Sequence, residues 1–261
     1  MTPFRFLLSS LLMAMVLPQT ARSADDWQSA YAIKTFTDAE GRTLPYRLLS
    51  PERVEPGKTY PLVLFLHGAG ERGEDNAAQL KHGVAAFAQS DFRRRHPCFV
   101  LVPQCPKKRR WVEVDWKLTQ HTMPVEPSVP LTLAFELFDE TVQTLPVDQS
   151  RLYIVGISMG GYGTWDAVQR RPDFFAAALP LCGGGDLACA PKLQKLPIWA
   201  FHGDADRTVP VVRTTAMAEA IQKAGGQPKT TIYPGVGHDC WTRTFANPAV
   251  LEWLFAQKKP R

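Results

Sequence analysis

Arg151–Arg171, RLYIVGISMGGYGTWDAVQRR, is the stretch whose reading decides the fold. Leu152–Val155 is a short apolar run of the kind that forms a buried strand, and a helix is expected from Met159 onward. Between them stands Gly156-Ile157-Ser158-Met159-Gly160, a G-x-S-x-G turn. A serine on so abrupt a strand-to-helix turn is lifted above the end of the strand, and the flanking glycines are needed because the turn leaves no room for side chains. The turn also frees the N–H of Met159 at the positive end of a helix, which suits an oxygen gaining negative charge during acyl transfer. Gly161 and Gly163 let the helix lie close on a sheet. Five common residues specify little alone, since a glycine-rich turn that only packs has the same sequence.

Outward from this stretch, apolar runs recur: Pro61–Leu66 (PLVLFL), Cys98–Pro103 (CFVLVP), Ala176–Leu181, Leu196–Phe201 and Thr230–Tyr233. Continuous runs of this length suit strands covered on both faces. Helical segments alternate with them: Asn76–Gln89, Leu131–Leu145, and Val211–Ala224. Trp241–Gln257 completes the chain as a helix that Pro248 kinks or breaks. Tyr31–Phe36 and Thr43–Leu49 form an opening strand pair around Asp38-Ala39-Glu40-Gly41. Strand alternating with helix predicts an α/β domain, a mostly parallel sheet with helices on both faces. Residues 24–261 read as one domain without internal repeat or linker. Gln104–Pro130, long, charged and Pro-rich, is a loop of the kind that carries function.

Residues 1–23 read differently. Arg5 precedes the apolar run Phe6–Leu17, and Ala21-Arg22-Ser23-Ala24 supplies small residues for cleavage after Ser23. This is the pattern of a secretory signal, too short to span a bilayer comfortably, so the mature protein is expected in the periplasm or outside the cell. The net charge of +5 includes Arg5 and Arg22 of that segment. The basic run Lys107–Arg110 is too short to argue for nucleic acid. Five cysteines leave at least one without a partner in the chain; Cys182 and Cys189 flank a glycine-rich loop and can close it. Cys98 and Cys105, at opposite ends of one strand, lie about 23 Å apart and cannot pair. No C-x-x-C or H-E-x-x-H spacing supports a metal site, and no cofactor is indicated.

In open α/β sheets, functional groups gather beyond the carboxyl ends of the strands. His67-Gly68-Ala69 follows the PLVLFL run and offers the N–H of Ala69 as an oxyanion donor beside that of Met159. Phe201–Pro210, FHGDADRTVP, supplies an acid, Asp206, with Asp204 as its competitor and Asp239 as an outsider. Gly235-Val236-Gly237-His238 supplies an imidazole, His238, as general base. The chain order Ser158, Asp206, His238 is that of a serine hydrolase triad. His67 and His202 read first as braces of their His-Gly turns, the glycines at 183–185 as a turn, and His82, His96 and His121 as surface or loop residues. Trp111, Trp116 and Trp241 either wall a substrate pocket or seal the edge of the core.

LFLHGAGERGED, VPQCP, GISMGGYGTWD, FHGDADRTVP and GHDCW with its FANPAVLEWLF helix together resemble the bacterial alpha/beta-hydrolase group often labelled predicted peptidase. That group is close to the phospholipase/carboxylesterase and dienelactone-hydrolase-like esterases. The resemblance runs from about Tyr31 onward and implies an alpha/beta-hydrolase fold without a large cap domain. It implies Ser158 as nucleophile, Asp206 as acid and His238 as base, with the His67–Gly70 loop at the oxyanion hole. His67, Gly68, Gly70, Gln104, Trp111 and Trp241 are then expected on the substrate side. The expected activity is hydrolysis of carboxylic esters of short acyl chains through an acyl-enzyme. Peptidase activity, or removal of acetyl or feruloyl groups from polysaccharide, is the alternative.

Overall fold

The computed structural model describes residues 27–259, so the expected signal segment lies outside the described residues. Eight strands form one sheet: β1 (Tyr31–Thr37), β2 (Thr43–Leu49), β3 (Tyr60–Leu66), β4 (Phe99–Pro103), β5 (Val147–Ile157), β6 (Ala177–Leu181), β7 (Trp199–Gly203) and β8 (Lys229–Tyr233). Their order across the sheet is β1-β2-β4-β3-β5-β6-β7-β8. The first two pairings, β1 with β2 and β2 with β4, are antiparallel, and the remaining strands run parallel.

The helices are α1 (Ala85–Ala88), α2 (Ser90–Arg95), α3 (Val129–Thr144), α4 (Met159–Arg170), α5 (Val212–Lys223), α6 (Cys240–Phe245) and α7 (Pro248–Ala256). Every residue of β3 is buried, and its alternation divides the molecule. Leu62, Leu64 and Leu66 enter one core with Leu137 of α3, Trp165 of α4 and Met217 of α5. Val63 and Phe65 enter the other with Phe87 of α1, Phe92 of α2 and Leu254 of α7. Side chains at period two point to opposite faces, so an unbroken apolar strand needs helices on both sides.

Two expected elements differ. Asn76–Gln89 is not one helix: it holds a single 3-10 turn at Ala78–Leu80 and the short α1. Asn76 (φ 50°) and Gly83 (φ 79°) take left-handed backbone, which a continuous helix cannot contain. The strand expected from Leu196 begins instead at Trp199, with Ile198 making only an isolated bridge to Ala178. The final helix does break at Pro248, where the Asn247 side chain caps α7 by accepting from Ala249 N at 3.1 Å.

Residues 104–128 form no helix or strand, yet they are fastened down. Ser128 Oγ donates to the Trp111 carbonyl (2.8 Å), and Tyr162 of α4 donates to that of Trp116 (3.1 Å). Arg170 reaches the carbonyls of Pro124 (2.6 Å) and Val125 (2.9 Å). No large cap is inserted among the described residues, and none of their helices is long and apolar enough to cross a membrane.

Candidate active site

Ser158 stands between β5 and α4 with φ 54° and ψ −115°, backbone that a non-glycine residue adopts only when its surroundings enforce it. The enforcement is visible. Ser158 N–H donates to the Leu181 carbonyl of β6 at 2.9 Å. A Cβ on Gly156 would lie 2.1 Å from the Gly160 carbonyl oxygen, and one on Gly160 would lie 1.9 Å from that of Leu66. Met159 opens α4, so its N–H has no carbonyl of a preceding turn to bond. Ala69 likewise opens the short turn Ala69–Glu71, directly after Gly68 and beside the serine.

His238 follows β8 through Gly235, whose φ of 69° turns the chain back over the sheet. Its Nε2 is 2.8 Å from Ser158 Oγ and its Nδ1 is 2.6 Å from Asp206 Oδ2. Since the carboxylate only accepts, Nδ1 carries the proton and Nε2 is left as the acceptor for the serine hydroxyl. Asp206 is itself held from four directions. Its Oδ1 accepts from Thr208 N (2.8 Å) and Val209 N (2.9 Å), while Oδ2 also faces His202 Nε2 at 3.2 Å. Burial pushes its carboxyl up, but the bonds from His202, His238 and the two backbone N–H groups outweigh burial and hold it far below the usual carboxylate range. Asp206 therefore stays ionised beside the imidazole. Asp204, the competing acid, accepts instead from Gly235 N at 2.7 Å and ties the β7 and β8 loops together. Asp239 is exposed at the start of α6.

Cys182 Sγ lies 2.8 Å from Cys240 Sγ and 3.3 Å from the His238 carbonyl, so the pair packs the imidazole's segment against the end of β6. Cys182 thus meets Cys240 rather than Cys189. Ligand atoms of Cys182, His202 and Asp206 gather within 4.8 Å of one another. Each is already engaged: His202 with Thr214 Oγ1 (2.8 Å) and the Val209 carbonyl (3.0 Å), Asp206 with its four donors. The cluster reads as the brace of the acid, a role beyond the turn brace expected of His202.

The residues expected on the substrate side divide. His67, Gln104 and Trp111 are fully buried, with their polar groups spent within the protein. His67 Nε2 accepts from Cys105 N (2.9 Å), its Nδ1 donates to the Gly68 carbonyl (2.6 Å), and Trp111 Nε1 donates to the His67 carbonyl (3.0 Å). Burial, with a smaller contribution from Arg72, lowers the His67 pKa to about 4, so the ring is neutral. Gln104 accepts from Asn76 N (2.7 Å) and donates to Asp75 Oδ1 (2.8 Å). These three residues support the turn after β3 from behind instead of lining a pocket. Gly68, Gly70 and Trp241 lie nearer the serine's side. A Cβ on Gly68 would come within 3.6 Å of Ser158 Cβ, Gly70 is exposed, and Trp241 packs edge-on against His238 with ring centroids 5.3 Å apart. Sequence reasoning missed Glu71, which is 5% exposed in the same turn; its neighbour His82, expected at the surface or in a loop, lies partly exposed in a loop.

The strand order, the turn at Ser158 and the gathering of polar groups beyond the carboxyl ends of the parallel strands define an α/β-hydrolase fold. The phospholipase/carboxylesterase family model matches residues 53–249, and the chain belongs to that family. A crystal structure of a thermostable esterase superposes with a TM-score of 0.82 and 39% identity, covering 88% of this chain and 64% of that one. NocK of Nocardia uniformis subsp. tsuyamanensis, whose name carries an esterase assignment, is 26% identical over 78% of this chain and 62% of its own length. A bifunctional acetylxylan esterase/xylanase of Neocallimastix patriciarum is 26% identical over 67% of this chain and 23% of its own. The chain thus spans less than two thirds of each of these three relatives.

Proposed function

We propose that this protein is a serine carboxylesterase acting through an acyl-enzyme on Ser158. The observation that carries the proposal is the unbroken hydrogen-bond chain from Ser158 Oγ through His238 to Asp206, set at the end of the sheet in a member of an esterase family. His238 Nε2 takes the hydroxyl proton as Oγ attacks the ester carbonyl, and Asp206 stabilises the resulting imidazolium. The N–H groups of Met159 and Ala69 receive the negative oxygen of the tetrahedral intermediate. His238 then returns its proton to the leaving alcohol, and water releases the acyl group by the same steps in reverse roles.

Short acyl chains are the proposed substrates, the preference that the resemblance to small single-domain carboxylesterases implies. Residues 1–23 are proposed as a secretory signal, so that the mature enzyme works in the periplasm or outside the cell. Hydrolysis of 4-nitrophenyl esters from acetate to decanoate, by the wild type and by Ser158→Ala, tests the reading. Activity highest on short chains and abolished in the variant is expected. Equal activity in both proteins, or amide cleavage as fast as ester cleavage, would overturn it.

A further inference from the structure

Among the described residues, Cys182 and Cys240 are the two cysteines whose sulfur atoms touch, 2.8 Å apart across 58 residues of chain. Both are fully buried, directly behind His238. Cys240 opens α6 two residues after that histidine, and Cys182 Sγ lies 3.3 Å from its carbonyl. Non-bonded carbon atoms already rest about 3.5–4.0 Å apart, and sulfur is the larger atom. The two sulfurs are therefore closer than unbonded ones settle, and a disulfide requires about 2.05 Å.

The backbone holds each sulfur in place from its own side. Cys182 N–H donates to the Phe201 carbonyl of β7 at 2.9 Å, and the residue takes left-handed backbone at φ 48°. Glycine adopts that conformation at lower cost, so the position keeps a side chain at the expense of backbone strain. Cys240 is fixed through its carbonyl, which accepts from Thr244 Oγ1 at 2.9 Å within α6. Neither residue is open to solvent, and burial, followed by the neighbouring Cys240, pushes the Cys182 thiol far up. Exchange of thiols and disulfides needs a thiolate within reach of its partner. A bond at this place is consequently made while the chain folds, and the finished fold protects it.

We propose that Cys182 and Cys240 form a disulfide in the mature protein, a covalent strap fixing the segment that carries His238 to the end of β6; the proposal rests on export of the chain to an oxidising compartment. The oxidant is a second disulfide, carried by a small thiol compound or an oxidoreductase. One cysteine thiolate attacks a sulfur of that disulfide and releases the first of its thiols. The other cysteine thiolate then attacks the mixed disulfide and releases the second. The two cysteines lose two electrons and two protons, and the oxidant leaves as two thiols. The bond closes a loop spanning 58 residues, so it removes much of the freedom of the unfolded chain. Cys98, Cys105 and Cys189 remain thiols.

The test unfolds and reduces the full-length protein in guanidinium and dithiothreitol, then refolds it either in a mixture of reduced and oxidised glutathione or in dithiothreitol. Remaining thiols are alkylated in denaturant, and peptides cut by trypsin and by a protease cleaving before aspartate are weighed. A cut before Asp186 separates Cys182 from Cys189. After refolding in glutathione, the peptides of Cys182 and Cys240 should be found linked, two hydrogens lighter than the separate pair, with the other cysteines alkylated. The linked form should melt about 10 °C above the form refolded in dithiothreitol, a comparison that alters no side chain. Five alkylated cysteines in both preparations, or Cys182 linked to Cys189, would overturn the proposal. Equal Tm values would overturn it too, because the bond would then strap nothing. A full-length chain that stays in the cytoplasm of the cell expressing it would refute export, and with it the bond in the living cell, whatever the refolded protein shows.

Discussion

Acidification should loosen the turn after β3 by way of His67. In the folded protein its pKa lies at about 4, while an unhindered imidazole titrates near 6.5, so between those values the unfolded chain binds a proton that the folded chain refuses. Stability therefore falls as pH falls through this window, and the histidine adds no further loss below it. One proton difference is worth about 1.4 kcal/mol per pH unit, so crossing the window costs on the order of 3 kcal/mol. The structural reason is that protonation would set a ring N–H against the N–H of Cys105, now 2.9 Å from Nε2 and donating to it. Urea unfolding of the wild type and His67→Asn at pH 7, 6, 5 and 4 measures the effect. The variant starts less stable but should lose about 3 kcal/mol less over the series, and other titrating groups, His121 among them, cancel in the difference. Parallel pH dependences for the two proteins would refute the reasoning.

Asp206→Asn should lower kcat/KM on 4-nitrophenyl acetate by roughly three to four orders of magnitude, because the imidazole loses the acceptor that sets its tautomer. The fold should persist, since the amide oxygen can still accept from Thr208 and Val209, and an unchanged near-UV circular dichroism spectrum checks this. A loss smaller than tenfold would remove Asp206 from the triad. Gln104→Leu strips the acceptor from Asn76 N–H and the donor from Asp75, and is expected to destabilise the protein by about 2–4 kcal/mol in urea titration. A shift below about 1 kcal/mol would mean that these groups regain their bonds from water.

The sheet and the proposed triad were legible in the sequence because both are written locally. An unbroken apolar run such as Pro61–Leu66 needs cover on two faces wherever it occurs, and the elbow's glycines sit within two residues of Ser158. What failed depends on partners distant in the chain. The resemblance implied a substrate-facing place for His67, Gln104 and Trp111, whereas the residues' own readings of His67 as a brace of its turn and of Trp111 as a possible core seal agree with the structure. Their partners, Cys105 N, Asn76 N and the His67 carbonyl, are only assembled by the fold. The segment Asn76–Gln89 has helix-forming composition, but the left-handed backbone at Asn76 and Gly83 belongs to its docking against the sheet and leaves no periodic trace.

The glycine contacts divide the molecule into what can vary and what cannot. A methyl group on Gly160 would meet the Leu66 oxygen at 1.9 Å, and one on Gly203 would meet the Val236 oxygen at 2.1 Å. These are main-chain atoms of neighbouring strand ends, with no side chain to swing aside. By contrast, residues 113–127 are tethered largely through side chains of α4, Tyr162 and Arg170. Substitutions there trade one exchangeable tether for another. The reacting groups are consequently inherited as a block together with Gln104, Cys105 and Trp111, and residues 113–127 are the segment a protein engineer could transplant from a relative without reopening the block.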